Sequence, residues 1–215
     1  MRKIIIILMT TVATSVMAQG RFCYSYGDWQ EGNWVELQQL TRNAHSKSRQ
    51  LWVGGNDYSF STGDKATDKV LKKKAFAVEY NDTLYVNLRT LRYERQRFGN
   101  GYAMAMPYDG DKVMFVTYRI GKSVTWGRAA AGVFFGVIGG AISASNALKD
   151  RVCYLIDNGG NGKTTEIKLI GDRLIKEMLS EKPLERHRYM SVHDPDERES
   201  AAHVLPLLKE WGLVK

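Results

Sequence analysis

A chain of 215 residues with a net charge of +8 and two cysteines has the length of one compact domain, with or without appendages. Two cysteines allow one disulfide at most, which excludes a multiply bridged scaffold. The mild basic excess favours anionic partners such as lipid head groups or acidic glycans.

Residues 1–18 set the compartment. Arg2 and Lys3 precede the apolar run Ile4–Thr14, and Val16-Met17-Ala18 is a small-x-small cleavage site. The run is too short to span a bilayer, so it reads as a signal peptide. The mature chain, 19–215, is then a single exported domain. Losing the two basic residues of the signal leaves it at +6. Outside the cytoplasm, nucleic acid is not an expected partner.

Residues 19–40 carry an aromatic cluster, Phe22, Tyr24, Tyr26, Trp29 and Trp34, broken by Gly27 and Gly32. This predicts short strands or extended chain packed on a core, with stacking on sugar faces as the alternative role for the rings. The polar run 41–50 predicts a loop, Leu51–Val53 a short strand, and Thr62–Lys65 a turn before the basic stretch Lys69–Lys74. Alternation from Ala75 to Tyr80, the turn pair Asn81-Asp82 and the β-forming run Leu84–Leu88 predict a hairpin. Tyr102–Met106 and Val113–Tyr118, joined through Pro107–Gly110, extend it to an antiparallel meander over 75–120. Within that span, Arg89, Arg92, Arg95 and Arg97 surround Tyr93 and Phe98. Guanidinium groups interleaved with aromatics are candidates for binding phosphate or carboxylate. The same pattern fits a polar face beside a core edge.

The stretch 129–148 holds no charged residue, and Gly132, Gly136 and Gly140 recur at every fourth position. On a helix this spacing lines one face with hydrogen atoms and lets another backbone approach closely. Twenty residues at 1.5 Å each make about 30 Å, the thickness of a hydrocarbon core. Trp126 and Arg128 before it, and Lys149 and Arg151 after it, look like interfacial anchors. Three readings stay open: a buried helix of a soluble domain, a membrane-inserted or self-associating helix, and a Gly-rich linker. Val133, Phe134, Phe135, Val137 and Ile138 argue against the linker.

Val152–Ile156 and Thr164–Ile170 predict a second hairpin around the Gly-rich loop Asp157–Lys163. Gly162-Lys163-Thr164 matches the end of a phosphate-binding loop. However, Asp157 stands where that motif needs its first glycine, and a strand follows in place of a helix. Asp172 is placed to cap a helix over Arg173–Glu181 that Pro183 ends or kinks. A last helix starts at Asp194–Glu197, presents Ala201, Val204, Leu205, Leu208 and Trp211 on one face, and ends at Gly212. The four histidines show no metal-ligand spacing, and His193-Asp194 suits a helix cap better than a metal site. No catalytic residue, metal site or cofactor is expected, so the chain reads as a non-enzyme. Cys23 and Cys153 either form one disulfide in an oxidising compartment or remain two thiols.

The signal peptide, the run Leu91-Arg92-Tyr93-Glu94 with Phe98-Gly99-Asn100-Gly101-Tyr102, and the leucine-rich segment around Leu174–Leu184 resemble a class of uncharacterised exported proteins of Gram-negative bacteria. That resemblance implies no particular function. Residues 129–148 also resemble the helices of small outer-membrane glycine-zipper proteins, without their lipidated cysteine. The expected fold is α+β: an antiparallel sheet over roughly 22–170, the Gly-rich helix 129–148 inserted between hairpins, and two C-terminal helices within 171–215. The expected role is that of an exported, non-enzymatic envelope protein of the periplasm or membrane surface. Its Gly-rich helix would pack on a membrane, on a partner helix or on a second copy, and the arginines would meet anionic head groups. The alternative is a soluble periplasmic or secreted module for a glycan or other anionic ligand, with Trp29 and Trp34 stacking on sugar.

Overall fold

The computed structural model describes residues 20–46, 56–120, 148–158 and 165–214. In chain order, β1 (Gly20–Cys23), α1 (Tyr26–Glu31) and β2 (Val35–Leu37) lead to β3 (Thr41–Ala44), β4 (Tyr58–Ser61) and α2 (Lys65–Lys73). Three hairpins follow: β5 (Ala77–Tyr80) with β6 (Thr83–Asn87), β7 (Arg92–Tyr93) with β8 (Gln96–Arg97), and β9 (Tyr102–Tyr108) with β10 (Lys112–Tyr118). After β11 (Arg151–Asn158) and β12 (Thr165–Leu169) come α3 (Asp172–Met178), α4 (Pro183–Met190), α5 (Pro195–Arg198) and α6 (Ala201–Glu210). The sheet order is β12-β11-β10-β9-β6-β5-β1-β2, antiparallel throughout. β3 and β4 join it through a bridge from Tyr58 to Tyr102, and β7–β8 stand apart as a two-stranded ribbon. This is the expected α+β class. Residues 129–147, with Gly132, Gly136 and Gly140, lie outside the described residues, as does the strand expected at Leu51–Val53.

Strand alternation divides the core, because successive side chains point to opposite faces. In β11, Val152, Tyr154 and Ile156 face one cluster while Cys153 and Leu155 face another. In β10, Val113 and Phe115 oppose Met114 and Val116 in the same way. The second face is covered twice. α2 and β3–β4 close over Tyr85 and Tyr102, and the C-terminal helices close over Met114 and Leu155. The first face is closed by α1 and the β7–β8 ribbon, through Trp29, Trp34, Tyr93 and Phe98.

The sheet curls around that first face. Tyr26, three residues past the end of β1, donates from its hydroxyl to the Asp111 carbonyl at 2.6 Å, in the β9–β10 turn. In a flat sheet four strand spacings, about 19 Å, would separate β1 from β10. Cys23 and Tyr26 also share one buried cluster with Val113 and Phe115 of β10, so both sides of the sheet close on the same core. Asn158 Nδ2, at the end of β11, also donates to Gln30 Oε1 of α1.

The curled sheet also decides the cysteines. Cys23 packs in the cluster of the first face and Cys153 in that of the second, five strand positions away. Both are free and buried, so the disulfide considered from the sequence does not form. Burial pushes the Cys23 thiol up to about 12 and the Cys153 thiol higher still, so neither supplies thiolate near neutral pH. The native protein, purified without reductant, is expected to show the same intact mass before and after reduction. A maleimide should label it only on unfolding. An unreduced mass lighter by two hydrogens would contradict this placement.

Three expectations change at the local level. The N-terminal aromatics include a helix: Ser25 Oγ accepts from Asp28 N at 3.0 Å, and Gly32 ends α1 at φ 74°. The basic stretch is the second half of α2, whose cap Asp64 accepts from Thr67 N at 2.8 Å. Part of the polar run 41–50 is β3, an edge strand paired with β4.

Four helices stand among the described residues where two were expected at the C-terminus. Pro183 opens α4 and Pro195 opens α5, positions where a missing N–H is no loss. Asp194 caps α5 as expected, accepting from Asp196 N at 3.0 Å. Asp172 does not cap. Gly171 takes that position, and Asp172 N donates to Glu199 Oε1 at 2.7 Å. The Asp172 carboxylate instead accepts from Arg198 Nε at 2.8 Å and from the Tyr189 hydroxyl at 2.9 Å, tying α3, α4 and α5 together.

The Arg198 hydrogen bond holds the Asp172 carboxyl below its ordinary 3.8, against the opposing effect of burial. A depressed folded value contributes stability above pH 3.8 that is lost as pH falls through it. Asp172→Asn is therefore expected to lower stability near neutral pH in urea unfolding. The difference from the wild type should shrink steadily below pH 3.8. A difference that stays constant into strong acid would refute the tie.

Candidate functional site

Antiparallel pairing gathers three connections at one end of the sheet. Asn87, ending β6, faces Tyr102, which starts β9 and bridges Tyr58 at the start of β4. Tyr118, ending β10, faces Arg151, which starts β11. β9 and β10 run antiparallel, so Tyr102 and Tyr118 lie at the same end. The connections 45–57, 88–101 and 119–150 all leave from there. Residues 47–55 and 121–147 fall outside the described residues.

All four candidate arginines belong to the 88–101 connection. Leu88 and Leu91 are buried and anchor its base. Glu94 and Arg95, at φ 49° and 67°, form the tip of the β7–β8 ribbon. Arg92 lies directly opposite Arg97. Arg92, Arg95 and Arg97 are exposed, while Arg89 is half-buried and donates to Asn100 Oδ1 at 2.8 Å. None of the four pairs with a described carboxylate. Like charges facing each other across a strand pair destabilise it, so the ribbon holds a repulsion that an anion would relieve.

The other side of the ribbon is aromatic. Tyr93 packs edge-on against Tyr154 at 5.2 Å, and Phe98 does the same against Phe115 and Tyr154 at 5.3 and 4.9 Å. The alternation read in the sequence thus splits by face, aromatics inward and arginines outward. Tyr154 then links the ribbon to the next connection, because its hydroxyl accepts from Ile120 N at 3.0 Å. Burial raises the Tyr93 phenol, and Arg173 and Arg119 are near enough to pull against that rise. Glu94 at the ribbon tip adds to the rise, and Arg119 is paired with Glu199.

Beneath the connections lies a buried polar cluster that the sequence does not reveal. Arg151 is 3% exposed and donates both terminal nitrogens to Asp57, at 2.5 and 2.6 Å. Its guanidinium lies over the Tyr118 ring at 4.5 Å. Arg151 is therefore not the interfacial anchor that its place after the apolar stretch suggested. Burial works against its charge, and Asp57 more than compensates, leaving its pKa above the usual value. Asn56 donates from Nδ2 to the carbonyls of Phe98 and Asn100 at 3.1 and 3.3 Å, and accepts at Oδ1 from Thr117 at 3.0 Å. One dipeptide, Asn56-Asp57, thus ties the 88–101 connection to the end of β10 and the start of β11. Gly101 permits the close approach: it sits at φ 100°, where a Cβ would lie 2.8 Å from the Tyr58 carbonyl oxygen.

A family model described as "Family of unknown function (DUF6563)" matches residues 21–215. The chain belongs to the DUF6563 family. No curated protein and no solved structure matches it.

In this DUF6563 member the other sequence candidates have structural partners. Trp29 stacks on Tyr26 at 5.6 Å, and Trp34 lies under the Arg21 guanidinium at 4.9 Å, so one face of each ring is already used inside the protein. His45 sits within 2.8 Å of the Asn56 carbonyl through Nδ1 and 3.0 Å of Ser59 Oγ through Nε2. Among the described residues, no group of three or more His, Cys, Asp or Glu is placed to hold a metal ion. Among the same residues, no helix is long and apolar enough to cross a membrane.

Proposed function

We propose that this DUF6563 member is an exported, non-enzymatic envelope protein that attaches to an anionic bilayer by the end of the sheet carrying the arginine ribbon. One juxtaposition supports this reading above all. Tyr154 packs on Tyr93 and Phe98 of the ribbon and also holds Ile120, the last described residue before the uncharged segment. The ribbon that carries the arginines and Ile120, from which the chain sets out toward the uncharged stretch 129–148, are thereby held to one ring. Single weak membrane signals bind reversibly, whereas an apolar element plus a basic patch holds stably. Each exposed arginine near an anionic surface contributes about 1 kcal/mol.

The apolar contact is assigned to residues 129–148. Gly132, Gly136 and Gly140 would form the face that packs on a partner helix, a second copy included, or on lipid. Export is assigned to residues 1–18, which the family match beginning at residue 21 leaves outside.

Fractionation of expressing cells tests this reading. The chain is expected in the envelope fraction, lacking residues 1–18 by mass. It should resist washes with high salt and with carbonate, and leave with detergent. Recovery in the soluble fraction, or release by salt alone, would overturn attachment through the apolar segment.

A further inference from the structure

The opposite end of the sheet holds a cleft of about 320 Å3, between α3 and the strand ends of β9 to β12. Its floor is apolar: Leu155, Met178, Leu179 and Trp211 line it, and Leu155 and Leu179 are buried. Met178 is held in place by the Tyr108 hydroxyl, 3.4 Å from its sulfur. Three lysines, Lys112, Lys168 and Lys182, stand on the rim with Asp109 and Asp157.

The rim charges are not equivalent. Lys168 is shared between Asp157 at 3.4 Å and Glu166 at 3.2 Å. Lys112 and Lys182 have no carboxylate partner among the described residues. Lys168 is thus occupied by two carboxylates, and Lys112 and Lys182 are the rim ammonium groups left to meet an anion, with Asp109 as the other charge that lines the cleft beside them.

We infer that this cleft binds a small amphiphile with a single anionic head, of the medium-chain carboxylate class. The volume is at the lower end for small-molecule sites. At about 30 Å3 per water it equals about ten waters, room for a ligand on the order of ten heavy atoms. The tail would cover Leu155, Met178 and Leu179, and the head would meet Lys112 and Lys182, whose long stems let the charge stay at the rim. The assignment does not rest on bilayer attachment, since the cleft lies at the other end of the sheet from the arginine ribbon.

Methionine-methyl NMR of the purified exported chain tests it, with decanoate kept below its micelle threshold and decanol as the neutral probe. The Met178 signal is assigned through Met178→Leu. Decanoate is expected to shift that signal saturably and to bind several-fold tighter than decanol. The double variant Lys112→Gln/Lys182→Gln should weaken decanoate about fivefold, as expected for two rim charges, and leave decanol unchanged. Three results would each overturn the assignment: no saturable shift at Met178, equal affinity for the two probes, or a double variant that binds decanoate like the wild type. No membrane is present in this titration, so its failure and a failure of bilayer attachment are read separately.

Discussion

Arg151→Met is expected to destabilise the protein by about 3–5 kcal/mol, the usual effect of removing one partner of a buried ion pair. The two terminal nitrogens of Arg151 meet the two oxygens of Asp57, and both residues are buried. Methionine roughly fills the space but leaves the Asp57 charge in a poorly solvated site without its guanidinium. Against a typical total of about 5–15 kcal/mol, that loss leaves a marginal fold. Urea unfolding of the single variant measures it. The double variant Asp57→Leu/Arg151→Met should recover much of the loss, because an apolar pair of similar volume often replaces a buried ion pair without penalty. A single-variant loss below about 1 kcal/mol, the range of exposed ion pairs, would contradict the buried placement. Since apolar packing could match the pair in stability, its distinctive contribution is positional. It locks β11 to the segment before β4, and Asn56 beside it locks the arginine connection.

The second large effect concerns the arginines themselves. Arg92→Gln/Arg97→Gln is expected to weaken binding to an anionic bilayer by about thirtyfold, from about 1 kcal/mol for each arginine. The same change should leave folding stability level or raise it slightly, because it removes a like-charge pair set directly across the ribbon. Loss of function with gain of stability is what separates a binding role from a structural one. Lys112→Gln/Lys182→Gln, at the far end of the sheet, serves as the control and should leave bilayer binding unchanged. A clear loss of stability in the arginine variant would show that the two side chains serve the fold instead.

What the sequence shows is what local chemistry decides. Asn81 and Asp82 both adopt positive φ, 49° and 56°, and that pair marked the β5–β6 hairpin without knowledge of any partner. Asp194 before Pro195 marked a helix start for the same reason. The helix α1 was legible in principle from Ser25, Asp28 and Gly32, but five aromatics broken by glycines outweighed the cap signal. Pro183 ends or kinks one helix by its missing N–H and suits the first turn of the next for the same reason, so the residue alone does not show which. The arginine cluster was legible as a group, yet which way each side chain faces follows only from the ribbon register, Arg92 opposite Arg97.

Other features could not be read in advance, because they join distant segments. Asp57 and Arg151 are 94 positions apart. The cleft is assembled from strand ends, a helix and the C-terminal segment. The cysteines illustrate the same limit from the other side. An oxidising compartment favours pairing, but only the curled sheet shows that the two thiols face different cores.

Bilayer attachment through the arginine end is tested most directly by partition of the exported chain into vesicles of zwitterionic lipid, with and without anionic lipid, across a salt series. Binding should be more than about thirtyfold tighter to the anionic vesicles, and that preference should fall as salt screens the arginines. Equal binding to both kinds of vesicle, or no binding to the anionic ones at low salt, would contradict attachment by this end of the sheet.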